Sequence, residues 1–355
     1  MLTTPVALFI FKRPETTARV FEEIRKAQPQ TLFVIADGPR ADRPGEAEEC
    51  MAARAVVSQV DWPCDVRTNF SDVNLGCDVR ITSGLDWLFG QVEEAIVLED
   101  DCLPHPTFFP FCQELLEHYR HDSRVMMISG NNFQAGRKRT GASYYYSRLF
   151  HIWGWATWRR AWQHFDAGLA RWPEIRGGGW LADVLADPLA ARFFGYIYDR
   201  CHAGEINPWD YRWNFSCWLQ NGVSIAPNVN LVSNIGFGAD AVHATNPDDR
   251  LAEIPVQAME FPLAHPGFMI PDTVADRRTM QQQFYLPEDK AGRHGAAAQT
   301  DPVAPTGQQP DKPHGRASAR AGKKRRRHRR TARRSRTARR MRQKRRPPRK
   351  RRRPV

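Results

Sequence analysis

Along the first 130 residues, unbroken apolar runs alternate with segments of helical period. Residues 6–11 form a continuous apolar strand. Pro14 then opens a helix whose Val20, Phe21, Ile24 and Ala27 share one face, proline being well tolerated in the first helical turn. Residues 32–36 make the next buried strand, stopped by the turn Asp37-Gly38-Pro39. Further helices are predicted around 46–59, 78–91 and 107–120, with strands near 64–69, 95–99 and 125–129. Continuous apolar strands interleaved with helices predict an α/β fold, a mainly parallel sheet covered on both faces. After about residue 130 the periodicity fades. Nine of the eleven tryptophans lie between Trp153 and Trp218, and the texture predicts long loops and short helices, with Gly177-Gly178-Gly179 as a mobile loop.

Charge divides the chain more sharply than periodicity does. The formal net charge of the 355 residues is +13, but residues 311–355 carry 24 Lys+Arg against one acid, which is +23. Residues 1–310 hold 52 − 24 = 28 basic against 39 − 1 = 38 acidic residues, which is −10. A basic globular nucleic-acid binder is therefore excluded as the reading of the folded part. No Phe, Tyr or Trp follows Tyr285, and a segment of Arg, Lys, Pro, Ala, Gly and Ser cannot bury enough apolar surface to offset its ordering entropy. One folded domain is expected over 1–288, with a nucleotide-binding half at 1–130 and an acceptor half at 131–288. A linker and Arg-rich tail are expected over 289–355. The seven cysteines are odd in number and form no CxxC pair, so reduced thiols in a cytoplasmic protein are expected. The apolar runs are too short to span a membrane and no signal peptide is indicated.

In an open parallel sheet, ligands sit at the carboxyl ends of the strands. The polar groups that close the strands are Lys12-Arg13-Pro14, Asp37-Gly38-Pro39, Asn74-Leu75-Gly76 before the third helix, and Glu99-Asp100-Asp101. The last is the sharpest, because Ala95-Ile96-Val97-Leu98 runs straight into three carboxylates. Adjacent acids at a buried strand end need a cation, and oxygen ligands of this kind suit Mn²⁺ or Mg²⁺ with substrate phosphates completing the shell. The alternative is a solvated turn that caps the next helix. Asp37 has its own alternative, a plain turn-former.

These residues resemble a family. Val97-Leu98-Glu99-Asp100-Asp101, a DXD-like acidic motif, together with Phe11-Lys12-Arg13-Pro14, Ala36-Asp37-Gly38-Pro39, Asn74-Leu75-Gly76, Ile128-Ser129-Gly130-Asn131, Gly154-Trp155 and Trp209-Asp210, is similar to the nucleotide-sugar core of GT-A glycosyltransferases. Within these, it resembles the branch related to N-acetylglucosaminyltransferase I and its bacterial nucleotide-diphospho-sugar transferase relatives. The resemblance covers roughly 1–285. It implies a glycosyltransferase of hexosyl or N-acetylhexosaminyl type, moving a sugar from a UDP-sugar donor to a carbohydrate acceptor. It further implies that Arg13 and Asp37 lie against the base, Asp37 accepting from a uracil N–H. Asp100 would lie near the ribose and metal-bound diphosphate, with Glu99 and Asn74 beside the donor, and Asp101 would be the direct Mn²⁺ ligand. Asp210 matches the family's general base for inversion; its aromatic neighbours would raise its pKa, and its alternatives are an ion pair with Arg212 or a cap of the helix over 211–219. His243 resembles a segment that returns to the diphosphate and is a weaker metal ligand. In the tryptophan cluster around Trp153 to Trp158, a few rings are expected to touch sugar and the others to pack the core.

Two other classes remain in view. A sugar-nucleotide pyrophosphorylase would want a glycine-rich loop after the first strand, which residues 11–15 lack. A polyanion-binding protein would act through the tail. The tail fits a polyanion or an anionic membrane surface, hence peripheral attachment at an inner membrane face, or an altered reading frame; with no aromatics in it, sequence-specific nucleic-acid binding is not expected.

Overall fold

A computed structural model describes residues 1–238, 249 and 251–285, all within one compact unit, 1–297. The expected linker and tail (289–355) and His243 lie outside the described residues. The elements in chain order are β1 (Val6–Ile10), α1 (Pro14–Ala27), β2 (Thr31–Ala36), α2 (Glu46–Val57), β3 (Asp65–Phe70), α3 (Cys77–Phe89), β4 (Glu94–Glu99), β5 (Cys102–Pro104), α4 (Phe108–His118) and β6 (Val125–Ser129). There follow β7 (Tyr144–Ser147), β8 (Trp155–Trp158), α5 (Arg159–Trp162), α6 (Trp172–Gly178), α7 (Leu181–Leu185), α8 (Pro188–His202), α9 (Trp209–Leu219), β9 (Val223–Pro227), β10 (Val232–Asn234) and α10 (Thr273–Thr279).

Eight strands form one sheet in the order β3-β2-β1-β4-β8-β6-β9-β7. Strands β1 to β4, β6 and β9 run one way, and only β8 and β7 oppose them. The expected mainly parallel α/β fold is therefore present. Each strand feeds two layers. Val6, Leu8 and Ile10 of β1 pack with Val20, Phe21 and Ile24 of α1 and with Phe111 and Leu115 of α4. Ala7 and Phe9 face the other way, with Ile81, Leu85 and Leu88 of α3 and Trp213 of α9. Burial on both faces explains why the strands read as continuous apolar runs rather than alternating ones. Of the two edge strands, β3 has largely exposed residues, whereas β7 is buried.

The second half departs from the expectation of loops and short helices. Its strands β7, β8 and β9 join the same sheet, β8 between β4 and β6. Trp155 and Trp158 are 1% exposed and belong to the core. The glycine run is not a loop either: Gly177 and Gly178 finish α6, and Gly179 closes it in the left-handed conformation at φ 69°. Among the described residues no helix is long and apolar enough to cross a membrane.

Helix α10 closes the β7 end through Asp276, which accepts hydrogen bonds from Ser147 Oγ (2.5 Å) and the Arg148 amide (2.9 Å). Burial pushes its carboxyl up to about 7, against the pull of these two donors. Because the folded-state value lies above the unfolded one, the stabilisation from this group is present at low pH and is lost as pH rises from about 4 through 7. Asp276→Asn cannot titrate. In urea titrations the wild type should therefore lose stability relative to this variant between pH 5 and pH 8, and a difference independent of pH would contradict the assignment.

Candidate active site

Strand order creates the site. The chain leaves β1 on one side for β2 and later returns on its other side as β4, so the carboxyl ends of β1 and β4 flank a topological switch point, where open α/β sheets leave a crevice. With Phe9 opposite Glu99 in register, Arg13 and the acidic triplet meet there. Arg13 Nη2 donates to Asp100 Oδ1 at 2.7 Å and Asp101 Oδ2 at 2.8 Å. The Phe11 amide donates to Asp100 Oδ2 at 3.0 Å, so both oxygens of this buried aspartate are engaged.

The chain returns to the same point through the short ladder of β5 with β10. The Ile235 amide donates to the Asp101 carbonyl at 2.8 Å, and Arg13 Nη1 reaches the Gly236 carbonyl at 3.4 Å. A Cβ at Gly236 would lie 2.3 Å from Asp101 Oδ2 and 2.5 Å from Arg13 Nη1, so only glycine lets this segment close over the ion pair. Phe237 beyond it packs edge-on to Trp153 (5.9 Å), and Trp153 to Phe133 (5.4 Å), which continues the wall toward the loop after β6.

Electrostatically the crevice is crowded with negative charge. Burial, then Asp101 and Asp100, push the Glu99 carboxyl well above the usual range. Asp100 is also raised, by burial first, with Arg13 opposing. Burial works against the Arg13 charge, and the two aspartates more than restore it. Asp210, in the first turn of α9, adds to this field: it raises Glu99 after burial, Asp101 and Asp100, and Cys77 is pushed up to about 12 by burial and by Glu99, Asp210 and Asp101 together. Burial raises Asp210 to about 6, with the backbone amides of the helix start opposing. Its position is set by the preceding Trp209, which packs on Trp155 of β8 at 5.9 Å. The possible partner Arg212 points elsewhere, to Asp78 of α3 and to the Ala167 and Asn207 carbonyls.

Asp37 sits at the neighbouring strand end and is 5% exposed. Oδ1 accepts from the Gly38 and Leu75 amides (2.9 and 2.8 Å), and Oδ2 from Asn74 Nδ2 and the Gly76 amide (both 3.0 Å). Four donors take its four in-plane lone pairs, so a uracil N–H could be accepted only if one of these bonds opened. In the structure Asp37 fixes the turn and the 74–76 segment, one of the two roles that the sequence left open. Asn74 also donates to the Gly38 carbonyl at 3.0 Å.

The structure thus brings together Arg13, Asp100 and Asp101, with Glu99 preceding them at the end of β4 and Asp210 contributing to the same field, and hydrogen-bonds Asp37 to Asn74 at the adjacent strand end. Among the described residues no three His, Cys, Asp or Glu side chains are gathered closely enough to hold a metal ion by themselves. Sequence reasoning missed Gly236 as a close-approach residue, and missed Arg13 as the counter-ion of the aspartates. The first depends on the β5–β10 return and the second on strand order.

No protein-family model matches the chain, and no curated protein sequence does. Solved structures are similar at low identity. A mannosyltransferase from Pyrobaculum calidifontis in complex with GDP-Man and Mn²⁺ aligns over 61% of this chain and 68% of its own, at 12% identity and a TM-score of 0.35. A mouse xyloside xylosyltransferase aligns over 62% and 84%, at 11% and 0.31. A 4-diphosphocytidyl-2C-methyl-D-erythritol synthase from Anaerococcus prevotii aligns over 62% and 87%, at 9% and 0.29. Likeness at this level assigns no activity, and the chemistry must come from the residues of the crevice.

Removing Asp37 should free the 74–76 segment. Asp37→Ala is expected to cost about 2–4 kcal/mol in chemical denaturation, because it strands buried donors. It should also accelerate amide exchange at Leu75 and Gly76. Unchanged exchange there would refute the clamp.

Proposed function

We propose that the protein is a metal-dependent glycosyltransferase that moves a sugar from a nucleotide-diphosphate donor, UDP-linked, to a carbohydrate acceptor with inversion, and that it is related to the branch of N-acetylglucosaminyltransferase I. One observation carries the reading: among the described residues Arg13 is the guanidinium bonded to Asp100 and Asp101 at the switch-point crevice, where Glu99 and Asp210 add to the same negative field. That much negative charge at a strand end is suited to a cation and to a ligand that brings one.

Mn²⁺ or Mg²⁺ would be held by Asp101 together with donor phosphate oxygens. The donor set fits this division, since Asp101 Oδ2 is bound to Arg13 while, among the described residues, Oδ1 meets only the Cys102 thiol, at 3.5 Å. Such an ion would supply charge neutralisation to the departing diphosphate. Arg13 and Asp100 align the β1 and β4 ends for the nucleotide, Asp37 and Asn74 shape the loop beside it, and Glu99 borders the sugar. On this reading residues 1–130 hold the donor and 131–288 the acceptor.

Asp210 would take the proton of the attacking hydroxyl. With its carboxyl near 6, it is ionised at neutral pH and still basic enough for the work. It lies on a helix anchored by Trp209 and Trp155, so its position follows from the core rather than from a loop. Asp210→Asn should therefore lower transfer by at least about 10²-fold. It should leave intact the thermal stabilisation by a UDP-sugar with Mn²⁺. Wild-type transfer should fall as pH drops below about 6. Near-wild-type transfer by the variant would remove Asp210 as base. A screen of nucleotide sugars with and without Mn²⁺ that gave no thermal response would remove the transferase reading itself.

A further inference from the structure

A second concavity lies outside the acidic crevice. Helices α6, α7 and α8 enclose a cleft of about 830 Å³, whose lining includes Trp172, Ile175, Arg176, Leu181, Tyr196 and Asp199. Two aromatics mark it. Tyr196 on its wall is 46% exposed, and so is Trp180, whose chain neighbours Gly179 and Leu181 both line the cleft. Trp180 is the one exposed tryptophan among the described residues, in a chain that buries or half-buries the others.

The polar groups of the cleft are fixed and paired. Arg176 Nη2 and Nε donate to Asp199 Oδ2 (3.0 Å) and Oδ1 (3.2 Å), and Trp172 Nε1 donates to the same Oδ1 at 3.0 Å. Because Asp199 compensates Arg176, the ion pair presents oriented donors and acceptors without a net charge. A purely apolar ligand would strand this ion pair, whereas a ligand with hydroxyls can bond to it and to Arg192, which also lines the cleft. The C–H faces of a sugar suit aromatic rings, and its hydroxyls suit a carboxylate and a guanidinium held in plane.

The position is informative too. Tyr198 and Cys201 on the same helix α8 feel the charge of Asp210, and Tyr198 packs on Trp172 at 5.2 Å. The cleft therefore adjoins α8, whose buried Tyr198 links the Trp172 wall to the core.

We infer that the α6–α8 cleft is a carbohydrate-binding subsite that takes a neutral oligosaccharide on Tyr196, Trp180 and the Arg176–Asp199 pair, away from the reacting sugar. Its assignment to the acceptor rests on the transferase reading, but its occupancy does not. The test is calorimetric titration of the full chain with the hexasaccharides of maltose, cellobiose, chitobiose and laminaribiose, without nucleotide or metal. At least one should bind. Tyr196→Ala and Trp180→Ala should each weaken that binding about fivefold, as loss of a stacking ring does, and Tyr196→Phe should leave it within about twofold. All three variants should keep the wild-type thermal response to UDP and Mn²⁺. Binding of none of the four sugars, or binding unaltered in both alanine variants, would overturn the subsite. Loss of the nucleotide response in every protein with sugar binding intact would overturn the transferase reading alone.

Discussion

The bonds from Arg13 to Asp100 and Asp101 are the constraint on which the remaining architecture depends. Two aspartates, a glutamate and, across the crevice, Asp210 are brought out of water at the end of a buried strand, where uncompensated charge is costly. One guanidinium offsets part of that cost. Geometry follows: β1 must lie beside β4, the residue after β1 must turn its amide onto Asp100, and the chain beyond β10 must be glycine where it crosses the pair.

The supporting parts serve this arrangement at different distances. Asp37 fastens the loop before α3, and α3 in turn holds Asp78 against Arg212 of α9. The tryptophans act mainly as positioning mass. Trp155 fills the sheet between β4 and β6, and Trp209 and Trp213 stack on it at 5.9 and 6.3 Å, fixing the helix that carries Asp210. Core packing and electrostatics are therefore coupled in the second half of the chain, since displacing β8 would also displace the proposed base.

Much of the first half was legible because its signals are local. Apolar runs, Asp37-Gly38-Pro39 and the acids after Leu98 mark strand ends in the sequence itself, and the boundaries of β1 to β4 and α1 to α4 fall within a few residues of those predicted. Strand β8 was not legible. Only four residues long and buried on both faces, Trp155-Ala156-Thr157-Trp158 shows neither period, and its partners β4 and β6 precede it in the chain. The ion pair of Arg13 was hidden for a related reason, because its neighbours are decided by strand order rather than spacing. The acids could be recognised as a cluster in need of a cation; that one such cation is supplied from within the chain could not.

The central proposal is that Asp101 with a nucleotide diphosphate completes a divalent-metal site which the side chains of the described residues do not form alone. Electron paramagnetic resonance of free Mn²⁺ tests it directly. Wild-type protein with UDP should sequester Mn²⁺, whereas protein without UDP should do so weakly, and Asp101→Asn should abolish the UDP-dependent part. Equal sequestration of Mn²⁺ by Asp101→Asn and the wild type in the presence of UDP would contradict the account.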